Sequence, residues 1–244
     1  TQGNIGLATA VLAELRPDLA SYEQAEAAYR AALDALTREG EPVEWALVQN
    51  NLGNVLVGMG KRSNDPSYYA RAAEAYEASL AIRDRETWPF QHAMTLMHLG
   101  NAHAAAGQHE WGTSSLEKAR TALETALTLL ERDRVPLDWA AAKNNLGIAL
   151  QTIGQKAMDV GILQESAQSF RDARTAYPRD KLPLDWAMTH YNLGNTLKLV
   201  AASTGDPEIY REAADAYRAA LEEFTRDRAP MQWATATASL GDML

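Results

Sequence analysis

The chain has 244 residues, no cysteine and a net charge of −9 from 32 acidic and 23 basic residues. Its hydrophobic content of 46% is too high for a disordered chain, and the lack of cysteine excludes disulfide scaffolds and thiolate metal sites. The acidic balance argues against a nucleic-acid partner, because phosphates are bound by basic surfaces. No apolar run approaches the ~18 residues that span a bilayer, and no signal peptide is visible. We therefore expect a cytoplasmic protein without membrane contact.

One sequence pattern returns along the whole chain at a step of 47 residues, without insertion or deletion. It is clearest around a glycine, in the segments NNLGNVL, MHLGNAH, NNLGIAL and YNLGNTL. The glycines are Gly6, Gly53, Gly100, Gly147, Gly194 and Gly241. Three further positions recur every 47 residues: one is always proline, one is tryptophan in most repeats, and one is aromatic in most repeats. Self-similarity at such a period predicts an array of stacked repeats.

Each repeat is predicted to contain two helices. The first, helix A, opens with a proline and an acid, as in Pro42-Val43-Glu44, and is expected to end near Gly60, with Gly107 and Gly154 in the same role. The second, helix B, opens at Asp65-Pro66 and is expected to run to about Arg85.

Gly53 stands in the middle of helix A, where a glycine costs roughly 1 kcal/mol relative to alanine. A glycine repeated at this position indicates close approach of another helix, and we expect the partner to be the small face of helix B around Ala72 and Ser79. Because such helix pairs bury their open faces by stacking, the predicted fold is a single solenoid over residues 1–244. Half-repeats stand at both ends, and the start at Thr1 suggests a trimmed chain.

The order Asn-Leu-Gly-Asn in helix A, followed by Ala72-x3-Tyr76-x2-Ser79 in helix B, resembles the tetratricopeptide repeat. The motif Pro-x-x-Trp-Ala-x-x-x-Asn-Asn-Leu-Gly is similar to the long repeats of kinesin light chains and of bacterial tetratricopeptide arrays. The resemblance covers the whole chain. It implies an all-α, right-handed superhelical solenoid that binds a protein or peptide in a concave groove lined by the A helices.

Two positions of helix A carry asparagines that recur three residues apart, so they share a helix face. In the family that the chain resembles, this face lines the groove, and a side-chain amide can donate to and accept from a peptide main chain. The candidate residues are Asn51, Asn54, His98, Asn101, Asn145, Asn192 and Asn195. The alternative is that these side chains bond to neighbouring repeats and hold the array together.

Positions next to these asparagines on helix A vary from repeat to repeat. Such variation is expected of a surface that selects among the side chains of a ligand, and equally of a surface without any constraint. Their candidate contacts are Met94, Gln151, Met188 and Lys198. An arginine position near the end of helix B, including Arg132 and Arg179, could bind phosphate. We favour a structural role instead, with the guanidinium near the helix C-terminus or stacked on the tryptophan of the next helix A.

No catalytic motif, cofactor fingerprint or metal-ligand spacing is found, and we predict no enzyme, no cofactor and no metal site. The histidines between His92 and His109 lie five or six residues apart, which does not place them on one helix face. The predicted function is a protein-interaction scaffold. Two alternatives remain: a regulatory arm of a larger signalling or peptidase protein, and a solenoid that assembles end to end.

Overall fold

The computed structural model of the protein describes residues 18–243, and within them the chain forms ten α-helices and no β-strand. The predicted all-α fold, with five helices of type A and five of type B, is confirmed. The described residues divide into two compact units: unit 1 ends at Leu129, and unit 2 begins at Leu130. The half-repeat predicted at the N-terminus lies outside the described residues.

Unit 1 contains helices α1 to α5. Their bounds are Leu19–Ala35, Pro42–Ser63, Ser67–Leu80, Pro89–Gln108 and Ser114–Leu127. Helices α2 and α4 are of type A, and the other three are of type B. Each helix packs against the next, and α2 also contacts α4 directly. Unit 1 is therefore a run of stacked helix pairs, as in a helical-repeat solenoid.

Unit 2 repeats this arrangement with helices α6 to α10. Their bounds are Pro136–Ala157, Val160–Arg174, Pro183–Thr204, Pro207–Leu221 and Pro230–Gly241. Helices α6, α8 and α10 are of type A. Neighbouring helices pack against one another, and α6 also contacts α8. The core of this unit includes Phe170, Leu193 and Leu197.

The repeated glycine of helix A is a site of close helix approach, as predicted. A Cβ atom on Gly53 would lie 2.5 Å from Cε1 of Tyr76, and one on Gly147 would lie 2.8 Å from Cε1 of Phe170. The partner is helix B, as predicted, but the nearest atoms do not belong to its small residues Ala72 and Ser79. The glycine instead makes room for a bulky side chain of helix B, which inserts against the backbone of helix A.

Helix α4 ends at Gln108, next to Gly107 as predicted, but Gly60 and Gly154 lie inside their helices. Helix α2 continues past Gly60 to Ser63 and ends at Asn64, whose φ of 56° is left-handed. Gly60 is another packing glycine, because a Cβ there would lie 2.7 Å from Cε1 of Tyr69. Helix α6 ends in the same left-handed conformation at Met158, with φ 53°. Helices α2 and α6 are consequently longer than predicted.

The B helices begin as predicted but end earlier. Asp206 caps α9, since its side chain accepts a hydrogen bond from the backbone N–H of Glu208 at 2.9 Å. Helix α3, however, ends at Leu80 instead of near Arg85. The side chain of Asp84 accepts hydrogen bonds from the next backbone N–H groups at 2.8–2.9 Å, which turns the chain toward the next helix A.

Candidate functional site

The A helices present a recurring face, called the asparagine face below. In α2 it consists of Val43, Leu47, Asn51 and Asn54, which lie at i, i+4, i+8 and i+11 and therefore on one side of the helix. The equivalent residues are Phe90, Met94, His98 and Asn101 in α4, Leu137, Ala141, Asn145 and Ile148 in α6, and Leu184, Met188, Asn192 and Asn195 in α8. All are exposed or half-buried.

Two of the predicted asparagines are bonded within their own repeat. The Tyr76 hydroxyl donates to Oδ1 of Asn54 at 2.8 Å, and the Tyr217 hydroxyl donates to Oδ1 of Asn195 at 2.9 Å. In the repeat of Asn101 the tyrosine is replaced by Leu123, which offers no hydroxyl. Asn54 and Asn195 therefore accept the hydrogen bond of a largely buried phenol, and the Tyr217 hydroxyl is also hydrogen-bonded to Ser239.

Two further predicted residues link neighbouring A helices in unit 2. Nδ2 of Asn192 donates to Oδ1 of Asn144 at 3.3 Å, joining α8 to α6. Nζ of Lys198 lies 2.6 Å from Oδ2 of Asp242, joining α8 to the end of α10. The lysine pair is partly exposed, so its contribution to stability is small. These contacts correspond to the structural interpretation of the asparagine positions.

The polar residues of the asparagine face in unit 1 are mostly without partners. Within residues 18–243, the amides of Asn51 and Asn101 form no side-chain hydrogen bond, although both are half-buried. The same holds for Asn145 and Gln151 on α6. Half-buried amides without partners keep their donors and acceptors available to another molecule.

His98 occupies the position of Asn51 in the next repeat. Its ring centroid lies 5.7 Å from that of Tyr76, and its Nδ1 atom is buried without a hydrogen-bond partner. Burial lowers the pKa of His98, so the ring is neutral at pH 7. The neutral form is most favourable with its proton on Nε2, because a buried Nδ1–H would be an unsatisfied donor. His98 therefore presents one N–H donor at Nε2.

The sequence interpretation missed an apolar part of the asparagine face. The second residue of every A helix is a large, exposed hydrophobic side chain at the 47-residue step. These residues are Val43, Phe90, Leu137, Leu184 and Met231, with exposures of 38%, 42%, 44%, 43% and 76%. Leu47 adds a further exposed side chain in α2. The sequence carries a signal for these residues, because a hydrophobic residue follows the proline in every one of these repeats. The proline was interpreted only as the start of a helix, and the residue after it was not considered.

Charge is unevenly divided between the two kinds of helix. Helix α4 has no acidic or basic residue except its histidines, and α2 has none between Glu44 and Lys61. Helices of type B carry charge along their length; α9, for example, contains Glu208, Arg211, Glu212, Asp215 and Arg218. The asparagine face of unit 1 is thus uncharged, in a chain whose net charge is −9.

Two residues of the arginine position, Arg132 and Arg179, make the stacked contact that was favoured from the sequence. The guanidinium of Arg132 lies 5.2 Å from the ring centroid of Trp139, and that of Arg179 lies 4.7 Å from that of Trp186. Each tryptophan begins the next helix A. Arg179 also pairs with Glu223 at 2.7 Å, so its charge is engaged by its own unit.

Within residues 18–243, no group of three or more histidine, aspartate or glutamate side chains is arranged to hold a metal ion. The same part of the chain has no helix whose length and hydropathy would suit a membrane span.

No protein-family model matches the sequence, and no curated protein matches it. Among solved structures, the fold is similar to the crystal structure of BtubC (BKLC) from P. vanneervenii. The TM-score is 0.61 at 22% sequence identity, over 92% of this chain and 84% of that chain. Together with the ten helices of residues 18–243 and their pairing, this likeness shows an all-α helical-repeat fold.

Proposed function

We propose that the protein is an interaction scaffold whose asparagine face binds a peptide segment of a protein partner. The supporting observation is the half-buried, partnerless amide side chain that recurs on this face at Asn51, Asn101 and Asn145. Helical-repeat folds are typically used for binding rather than catalysis, because they present an extended surface instead of an enclosed pocket. The likeness of the repeats to kinesin light chains agrees with this use.

A peptide main chain is the ligand that suits these amides best. Each amide can donate and accept at once, which matches the alternating N–H and C=O groups of an extended chain. The exposed apolar residues that precede the amides on the same face, such as Leu47 and Leu184, would contact side chains of the peptide. Met94 and Met188 are adaptable contacts for the same purpose.

Site-specific photocrosslinking tests the proposal. A random 12-residue phage-display library is selected on the whole chain, and the enriched peptides are crosslinked to variants carrying benzoylphenylalanine. Labelling is expected at Leu47 and Leu184 on the asparagine face, and not at the exposed control positions Glu77 and Arg218 on B helices. Failure to enrich any peptide, or labelling at the control positions alone, would contradict the proposal.

End-to-end association is a second candidate, favoured by helix α10. A Cβ atom on Gly241 would meet nothing within 4 Å, whereas the equivalent glycines of the described A helices are covered by a helix B. Met231 is 76% exposed and Trp233 36% exposed on the same helix. We propose that a second copy covers this surface at high concentration.

Light scattering tests the association. It should show dimers for the wild type and monomers for Trp233→Glu, and a wild type that is monomeric at all concentrations would contradict the proposal.

A further inference from the structure

The two units differ in how their asparagine faces satisfy hydrogen bonds. In unit 2, Asn192 and Asn195 are bonded to groups of the same unit, and Lys198 is neutralised by Asp242. In unit 1, only Asn54 is bonded, and Asn51 and Asn101 have no partner, whereas Asn145 is the one partnerless asparagine of this face among the described residues of unit 2. We infer that unit 1 is the principal binding segment, and that its partner is an uncharged, extended peptide stretch bearing apolar side chains. The inference rests on the proposed function and adds the location of the site and the chemistry of its ligand.

The side chains of unit 1 that can hydrogen-bond to a ligand lie on two neighbouring A helices. Asn51 on α2 and His98 and Asn101 on α4 carry the available groups, and the two helices contact each other directly. A further bond, from the Thr95 hydroxyl to Oδ1 of Asn50 at 3.1 Å, ties α4 to α2 beneath this surface. The available groups are thus held on a rigid base, which lowers the entropy lost when a ligand binds.

The apolar part of the surface lies on the same helix face. Val43, Leu47 and Phe90 are 38%, 45% and 42% exposed, and Met94 is half-buried beside them. Their exposure to water is unfavourable, and burial under apolar side chains of a ligand would remove this apolar surface from water. A ligand that meets both parts of the face must offer main-chain polar groups together with apolar side chains.

The absence of ionised groups on this face decides against a charged ligand. Helix α4 contributes none, α2 contributes none between Glu44 and Lys61, and His98 is neutral at pH 7. A carboxylate or an ammonium group placed here would lose its hydration without gaining an opposite charge, which is strongly unfavourable. An uncharged segment avoids this cost, and its binding should depend little on salt.

The test uses arrayed 10-residue peptides of random sequence, acetylated and amidated at their ends, in three classes of negative, zero and positive net charge. The whole chain is applied as the probe protein. We expect the bound peptides to come mainly from the uncharged class. Their affinity should change less than about twofold when salt rises from about 0.05 to about 0.5 M, because no ion pair is formed.

Substitutions locate the site. Asn51→Ala with Asn101→Ala should weaken binding of the best uncharged peptide about tenfold and leave the melting temperature unchanged, because neither amide has an internal partner. The matched control is Asn192→Ala with Asn195→Ala, whose amides are already bonded within unit 2, and it should keep the affinity within about twofold. His98→Phe keeps a ring against Tyr76 but removes the Nε2 donor, and should also weaken binding.

Each outcome is decisive. If no peptide of any class binds, the proposed function itself fails. If charged peptides dominate, if salt weakens binding strongly, or if only the unit 2 variant loses affinity, peptide binding stands but the inference about unit 1 is overturned. If the unit 1 variant loses affinity because it unfolds, its lowered melting temperature assigns the amides a structural role and overturns the inference as well.

Discussion

Unit 1 and unit 2 are built from the same repeat, yet they use the same asparagine positions differently. In unit 2, Asn195 bonds to Tyr217 within its helix pair and Asn192 bonds to a neighbouring A helix. In unit 1, Asn54 bonds to Tyr76 in the same way, but Asn101 stands opposite Leu123 and Asn51 has no partner. An identical residue at an identical repeat position can therefore be structural in one repeat and available to a ligand in another, depending on its neighbour.

The largest expected effect is on stability, and it tests the close packing of helix B against the repeated glycine, which both units share. Gly147→Leu in unit 2 and Gly53→Leu in unit 1 should each lower the free energy of unfolding by about 2–4 kcal/mol, because the new side chain collides with Phe170 or Tyr76. Urea denaturation measures the change. Gly241→Ala is the control, since nothing lies within 4 Å of its Cβ position. Tolerance of leucine in one unit only would show that the helix pairs are not equivalent.

The next effect compares the stability contributed by an asparagine that has a tyrosine partner with that of an asparagine that has none. Asn195→Ala should cost about 1–2 kcal/mol of unfolding free energy, because the Tyr217 hydroxyl loses its acceptor. Asn101→Ala, the equivalent change in unit 1, should alter stability by no more than a few tenths of a kcal/mol, because Leu123 needs no acceptor. Thermal melting of both variants checks this. Equal losses would mean that Asn101 has a structural role that the comparison misses.

The smallest effect concerns pH. Burial, assisted by the positive charges of Arg174 and Arg179 and opposed by Glu222, lowers the pKa of His190 in unit 2 to about 4 from its ordinary value of 6.5. The unfolded chain therefore binds more protons between these values, so the stability contributed by neutral His190 is complete above pH 6.5 and is lost as the pH falls toward 4.

His190→Leu introduces the residue that helix α4 has at the equivalent position, Leu96, and removes this titration. Relative to the wild type, the variant should gain stability at pH 5 compared with pH 7, by an amount on the order of 1 kcal/mol. Denaturant midpoints at the two pH values give the difference. A constant difference between variant and wild type would show that His190 does not contribute to the pH dependence.

Much of the architecture follows from the sequence because it is governed by local rules and by the period. Proline at the start of each A helix, aspartate at the start of α9 and the 47-residue step predict where helices begin and how many there are. Helix ends were less predictable. Gly60 was expected to cap α2, but its role is to admit Tyr69 of the next helix, a contact that only packing reveals.

The candidate site shows the same division. The sequence by itself determined that Asn51, Asn54 and Asn101 share one face of the A helices, because that depends only on helical geometry. It did not decide which of them remain available. That depends on the residue of helix B that lies opposite each amide. The Tyr76 hydroxyl donates a hydrogen bond to Asn54, whereas Leu123, opposite Asn101, has no hydrogen-bonding group. A hydrogen bond needs two groups at about 3 Å with suitable angles, so its existence is a property of the tertiary structure.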